Sequence, residues 1–172
     1  MSYIGKIISL RRLELSDAAS LALHANDEDI GRFTTLPHPY TRSHAESFIE
    51  LLSTNGHEHE FGIEYDQSIV GMVGLVRFDH ANHQAELGYW LGRDFRGKGI
   101  MKEAVNLILS YGYDDLKIHK IVAYIRPANT ASWKLLESAG FMREGLLKDN
   151  RLIKGEYVDH YVYGKINGAR GI

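Results

Sequence analysis

The chain has 172 residues and no cysteine, so it can bury a sizeable core but has no disulfides, thiol nucleophile or cysteine-based zinc site. With 20 Lys and Arg against 22 Asp and Glu the net charge is −2, which implies no polybasic surface and excludes nucleic acid as the expected partner. The first residues lack a signal-peptide pattern, and no apolar run approaches the ~18 residues that would cross a bilayer, so a cytoplasmic protein without a membrane partner is expected.

No Pro-, Gly- or Ser-rich linker and no internal repeat divides the sequence, so residues 1–172 are read as a single domain. Residues 6–13 predict a first strand. Ser16 is placed to cap a helix that carries Ala18, Leu21, Ala22 and Ala25 on one side. Thr34 to Tyr40, with Pro37 and Pro39, is a loop. Ser43 with Glu46 has the spacing of a capping box, followed by an apolar stripe of Ala45, Phe48, Ile49 and Leu52. Glu60–Tyr65 and Ser68–Phe78 predict two strands turning at Asp66-Gln67, and Gln84–Leu91 predicts another. Residues 100–115 predict a helix with Met101, Ala104, Val105, Ile108, Tyr111 and Gly112 inward and Lys102, Asn106 and Ser110 outward. A strand over His119–Ile125, a helix over Thr130–Ala139 ended by Gly140, a strand over Phe141–Leu146 and a last hairpin turning at Lys154-Gly155 complete the chain. The order β-α-α-β-β-β-α-β-α-β-β gives an α/β class: a mixed sheet of about seven strands flanked by helices.

Arg96-Gly97-Lys98-Gly99-Ile100-Met101 lies between a strand and an amphipathic helix. Two glycines there let the backbone curl, so that free N–H groups and the positive end of a helix dipole face one point. An anion, best a pyrophosphate, is expected at that point. The loop is not a P-loop, because Lys98 is followed by Gly99 and no Ser or Thr is placed to hold magnesium. It is not a dinucleotide fingerprint either, because Glu103 stands at the third glycine position.

Arg96-x-x-Gly99 fits the pattern [QR]-x-x-G-x-[GA], and here the chain resembles the GNAT superfamily of N-acetyltransferases. The run Ala85-Glu86-Leu87-Gly88-Tyr89-Trp90-Leu91 carries the resemblance further, as do Asn129-Thr130-Ala131-Ser132, Ser138-Ala139-Gly140-Phe141 and the closing Glu144-Gly145 and Lys154–His160. Together they are most similar to the subgroup that acetylates N-terminal Ala or Ser of ribosomal proteins. Met101 departs from the small residue usual at the loop's last position; with its side chain in the core, binding by main-chain N–H survives. The resemblance implies acetyl-CoA as co-substrate and no metal. It implies that Trp90, Leu91, Arg96, Gly97, Lys98, Gly99, Ile100, Met101, Asn129 and Ser132 line the cofactor site, and that Phe33, Thr34 and Tyr40 line the acceptor site.

Acetyl transfer needs a neutral amine, a polarised carbonyl and a proton for the departing thiolate. Strand alternation puts Glu86 on one face with Gly88 and Trp90, which makes it the leading candidate to take the amine's proton through water; the competing reading is an ion pair with Arg77. The resemblance makes Ser132 the group that protonates the thiolate, whereas Asn129 or Thr130 read locally as a helix cap. The tyrosine that many superfamily members use four residues further on is replaced by Leu136. His57-x-His59 and His80-x-x-His83 lack a third ligand and read as solvated loop residues. The expected acceptor is a protein N-terminus. A small-molecule amine such as a polyamine, amino sugar or antibiotic is the alternative, and a non-catalytic acyl-CoA-binding module the non-enzymatic one. The chain is expected to act as a monomer or homodimer.

Overall fold

The computed structural model describes residues 2–54 and 57–168. Among the described residues, eight strands follow the order β1-β2-β3-β4-β5-β6-β8-β7 in the sheet, one strand more than the sequence predicts. The chain divides into two compact units, Met1–Val76 with Gly88–Ile108, and Arg77–Leu87 with Leu109–Ile172. Strands β4 (Ser68–Asp79) and β5 (Gln84–Leu91) each contribute residues to both.

In the first unit, β1 (Ser2–Ile4), β2 (Ser9–Arg11), β3 (Glu60–Tyr65) and β4 pair antiparallel in succession. The strand expected over 6–13 is present only over Ser9–Arg11, because the residues before it form a turn in which the Gly5 N–H donates to Ile8 O at 2.8 Å. The Glu103 carboxylate accepts the N–H groups of Lys6 and Ile7 across that turn, and a Cβ at residue 5 would run into it. Glu103→Ala is therefore expected to cost about 1 kcal/mol, a fall in Tm of ~3 °C by thermal melt. Asp66 and Gln67 both have positive φ, 48° and 63°, as a two-residue hairpin turn demands.

Two helix starts differ from the sequence expectation. Ser16 lies in a 3-10 turn, Leu15–Asp17, and α1 (Ala18–Ala25) begins after it with no side-chain cap. The Asp17 carboxylate is committed elsewhere, to the Arg11 guanidinium at 2.8 and 2.9 Å and the Glu14 N–H at 2.8 Å. The capping box of α3 (Arg42–Leu52) is Thr41 with His44, not Ser43 with Glu46. Thr41 Oγ1 accepts the His44 N–H at 3.3 Å, and His44 Nδ1 accepts the Thr41 N–H at 3.1 Å. Glu46 instead pairs with Arg42 one turn back, at 2.8 Å. The predicted apolar stripe holds all the same. Ala18, Leu21, Ala22 and Ala25 of α1 pack with Ala45 and Ile49 of α3 over Ile69 and Met72. Between them lies a helix the sequence did not announce, α2 (Glu28–Phe33), capped by Asp27.

In the second unit, β6 (Lys120–Ile125) runs parallel to β5 over Gln84–Glu86 and antiparallel to β8 (Glu156–Ile166) along its whole length. β7 (Met142–Ile153) pairs antiparallel with β8, with register shifts at Arg143/Gly145 and Leu147/Arg151, and the hairpin turns at Lys154-Gly155. On β6, Ile121, Ala123 and Ile125 are buried, whereas Val122 and Tyr124 on the other face are half-buried. Tyr163 is fully buried and donates to Glu137 of α5 (Thr130–Ser138) at 2.9 Å. Helix α4 (Ile100–Ser110), which belongs to the first unit as far as Ile108, continues as a π-turn over Tyr111–Asp115 and buries the predicted inward set, from Met101 to Gly112. Among the described residues, no helix is long and apolar enough to cross a membrane.

Candidate active site

The turn into α4 belongs to the first unit. After Leu91, the Gly92 N–H donates to Val70 O at 2.9 Å, a 3-10 turn covers Arg93–Phe95, and Gly97 and Gly99 take φ of 75° and 80°. A Cβ at either glycine would meet nothing within 4 Å, so both are required for their backbone angle and not for space. The first helical bond of α4 is Glu103 N–H to Gly99 O at 3.0 Å. The amides of Ile100, Met101 and Lys102 are thereby left without a helical acceptor, at the positive end of an 11-residue helix. The Ile100 and Met101 side chains are buried, which leaves these amides unobstructed by their own residues. Lys98 is exposed, its Nζ 5.6 Å from the Phe95 ring centroid.

The Arg96 guanidinium is engaged by the chain itself. Its Nη2 donates to Asp27 Oδ2 at 2.6 Å, its Nη1 to Asp29 Oδ2 at 3.2 Å and its Nε to Leu91 O at 3.2 Å. Arg93 Nη2 donates to the other Asp27 oxygen at 2.9 Å. Burial alone would raise the Asp27 carboxyl, but the hydrogen bonds from Arg93 and the Asp29 N–H, with the charge of Arg96, hold it below the ordinary carboxylate range.

The expected acceptor residues also lie in this unit. Thr34 closes α2, its N–H and Oγ1 both donating to Ile30 O at 3.0 and 2.6 Å. Phe33 is half-buried, with Arg32 Cζ 5.2 Å from its ring centroid. Tyr40 sits inside the α1–α3 core, where burial raises its hydroxyl, and Trp90 packs partly against the same cluster.

Glu86, Asn129 and Ser132 belong to the second unit. The register Glu86↔Val122, Tyr124↔Val162, Leu147↔His160 and Arg151↔Val158 sets Glu86, Tyr124, His160 and Arg151 on one sheet face. Glu86 is buried and both its oxygens are engaged. Arg77 Nη1 reaches them at 3.0 and 2.9 Å, while Arg151 Nη1 and Nη2 reach them at 3.1 and 2.8 Å. The Arg77 ion pair weighed in the sequence is thus present, and a second guanidinium joins it. Arg77 takes a left-handed φ of 49° inside β4, and Arg151 lies 4.6 Å over the Tyr124 ring. Sequence reasoning missed Arg151, which sits 65 positions from its partner in a strand that ran longer than predicted.

Asn129 caps α5, its Oδ1 accepting the Ser132 N–H at 3.3 Å, so the local cap reading holds and Ser132 sits in the first turn, half-buried. Leu136 is fully buried in the core. His57 bonds Glu60 at 2.7 Å and His80 stacks on Phe78. Among the described residues, no group of three His, Cys, Asp or Glu is arranged to hold a metal ion.

His160 is 4% exposed and its Nδ1 makes no hydrogen bond. Burial, reinforced by the charge of Arg151, pushes its pKa down, and burial does the same to His24 in α1. The unfolded chain, with ordinary imidazoles near ~6.5, therefore takes up protons before the folded one. Stability is expected to be full above that pH and to decline as pH falls below it. Urea midpoints at pH 8 and pH 5.5 measure this, and His160→Gln should narrow the gap between them.

Residues 8–142 match the acetyltransferase (GNAT) domain, and the chain belongs to that family. It is 37% identical over 163 residues to the uncharacterized N-acetyltransferase p20 of Bacillus licheniformis, covering 91% of this chain and 90% of that one. It is 36% identical over 104 residues to the ribosomal protein uS5-alanine N-acetyltransferase of Escherichia coli, covering 58% of this chain and 53% of that one. It is 30% identical over 159 residues to the spermidine N(1)-acetyltransferase of Vibrio cholerae, covering 88% of each. Among solved structures, the microcin C7 self-immunity acetyltransferase MccE in complex with acetyl-CoA and AMP superposes with a TM-score of 0.83 at 31% identity, covering 95% of this chain and 94% of that one. The chain is an N-acetyltransferase of mixed α/β fold.

Proposed function

We propose that this enzyme transfers the acetyl group of acetyl-CoA to the α-amine of a protein beginning with Ala or Ser, by direct attack in a ternary complex. The observation that carries the donor site is the set of amides at Ile100, Met101 and Lys102, freed by the two positive-φ glycines and lying at a helix N-terminus. The diphosphate takes those N–H groups, the exposed Lys98 adds charge, and backbone groups near Trp90 and Leu91 receive the pantetheine arm. The amine nitrogen forms a bond to the thioester carbon, the C–S bond breaks, the amine's proton leaves to solvent, and Ser132 hands its hydroxyl proton to the coenzyme A sulfur while recovering one from solvent. Asn129 fixes Ser132 by capping its turn. No covalent enzyme intermediate is required.

An α-amine, with pKa near ~8, needs less help to lose its proton than an alkyl amine near ~10.4. This matters because Glu86 is already engaged by two arginines. Spermidine carries amines of the second kind. Thiol release from acetyl-CoA decides between them. Turnover is expected with peptides starting in Ala or Ser and little with spermidine; the reverse ratio would reassign the acceptor. Cofactor binding without turnover on any amine would mean a sensor module instead. Ser132→Ala is expected to lower kcat by about 100-fold with KM for acetyl-CoA within about twofold, read in the same assay.

A further inference from the structure

We propose that Asp27 is a positioning residue for acetyl-CoA: its buried carboxylate latches Arg96 and Arg93, and so sets the shape of the glycine turn that meets the diphosphate. The inference rests on the donor-site assignment above and gives Arg96 a different role from that of a phosphate ligand.

Asp27, Glu86 and His160 are the buried polar or charged residues among those described. A carboxylate withdrawn from water is tolerated only when its lone pairs are taken. The side chain of Asp27 is 7% exposed, and its oxygens accept from Arg93, from Arg96 and, at 3.0 Å, from the Asp29 N–H. Both arginines come from the five-residue stretch, Gly92 to Arg96, that separates β5 from Gly97. Arg96 spends Nε, Nη1 and Nη2 on Leu91 O, Asp29 and Asp27, which fixes the entry to the turn at two points. A guanidinium with all three nitrogens engaged acts through geometry, and a fork of that kind is not replaced by an ammonium.

The elbow that carries Asp27 also reaches the acceptor side. Asn26 Oδ1 accepts the Tyr40 N–H at 3.1 Å, closing the loop that begins at Thr34. Adjacent residues at the α1–α2 junction therefore hold the end of the acceptor loop and the start of the cofactor turn.

Substitutions separate a latch from a ligand. Asp27→Asn keeps the volume and the oxygen that caps α2 but removes the charge that holds two arginines. Coenzyme A titrated by calorimetry, well below the variant's Tm, is expected to bind about tenfold more weakly, with KM for the peptide raised and kcat within about threefold. Arg96→Lys keeps a positive charge in reach of a phosphate but loses the fork, and it should weaken binding as much as Arg96→Ala. The Asp27→Asn, Arg96→Lys double variant should lose little beyond either single one. Parent-like affinity in Asp27→Asn would overturn the latch, as would Arg96→Lys binding like the parent while Arg96→Ala fails. Should Asp27→Asn not fold, Arg93→Gln, at an exposed side chain, and Arg96→Lys carry the test. A parent protein that binds no coenzyme A would instead refute the donor-site reading itself.

Discussion

Gly99→Val is expected to weaken coenzyme A binding by ~100-fold or more while leaving the fold standing. Residue 99 holds φ at 80°, where a β-branched side chain costs ~1–2 kcal/mol or more. There is no clash to add to that, because a Cβ would find open space. The variant's cheapest escape is to swing the backbone into an ordinary region, and nothing but the turn itself resists. That movement redirects the amides of Ile100, Met101 and Lys102, and each tenfold loss corresponds to about 1.4 kcal/mol of binding. Calorimetric titration with coenzyme A, beside a thermal melt, separates the two effects. A Kd equal to the parent's would remove the turn from the cofactor site.

Glu86→Gln is expected to lower stability and turnover together but to leave the rising limb of the pH–rate profile where it is. Arg77 Nη1 bridges both Glu86 oxygens and Arg151 donates one nitrogen to each, so both acceptor atoms are engaged twice. Replacing the carboxylate with an amide leaves two guanidiniums facing a group that can accept on one atom only. The sheet face that carries Tyr124 and His160 loses its anchor, so kcat falls through disorder and not through loss of a proton acceptor. For an α-amine acceptor the limb follows the acceptor's own ionisation, near ~8. A limb displaced by a full unit in the variant would restore Glu86 as the group that takes the proton.

What was legible in the sequence follows from how far each signal reaches along the chain. The α4 stripe, the positive-φ turn at Asp66-Gln67 and the glycine pair before α4 are written in neighbouring letters, and each has its place in the structure. Helix α2 was not legible because six residues with two buried positions, Ile30 and Gly31, make less than two turns of pattern. Ser16 and Ser43 carried valid capping signals that lost to competing bonds at Asp17 and Thr41. The extra strand β1 depends on a carboxylate from position 103. At the site, the amide cluster was readable because it needs only glycines and a helix. The partners of Glu86 and Arg96 were less so: Arg77 was foreseeable nine residues away, whereas Arg151 and Asp27 lie 65 and 69 positions off, beyond any local rule.

One last consequence comes from the strand at the end of the sheet order. β7 is twelve residues long with exposed Met142, Leu146, Leu147 and Leu152, the composition of an adhesive edge. The register shift at Leu147/Arg151 and the left-handed Asp149 (φ 46°) interrupt the strand near its middle. Lys148 and Asp149 place charge at the same interruption. A second chain adding a strand there is expected to meet two short stubs in place of one ladder, a geometry that disfavours edge-to-edge pairing.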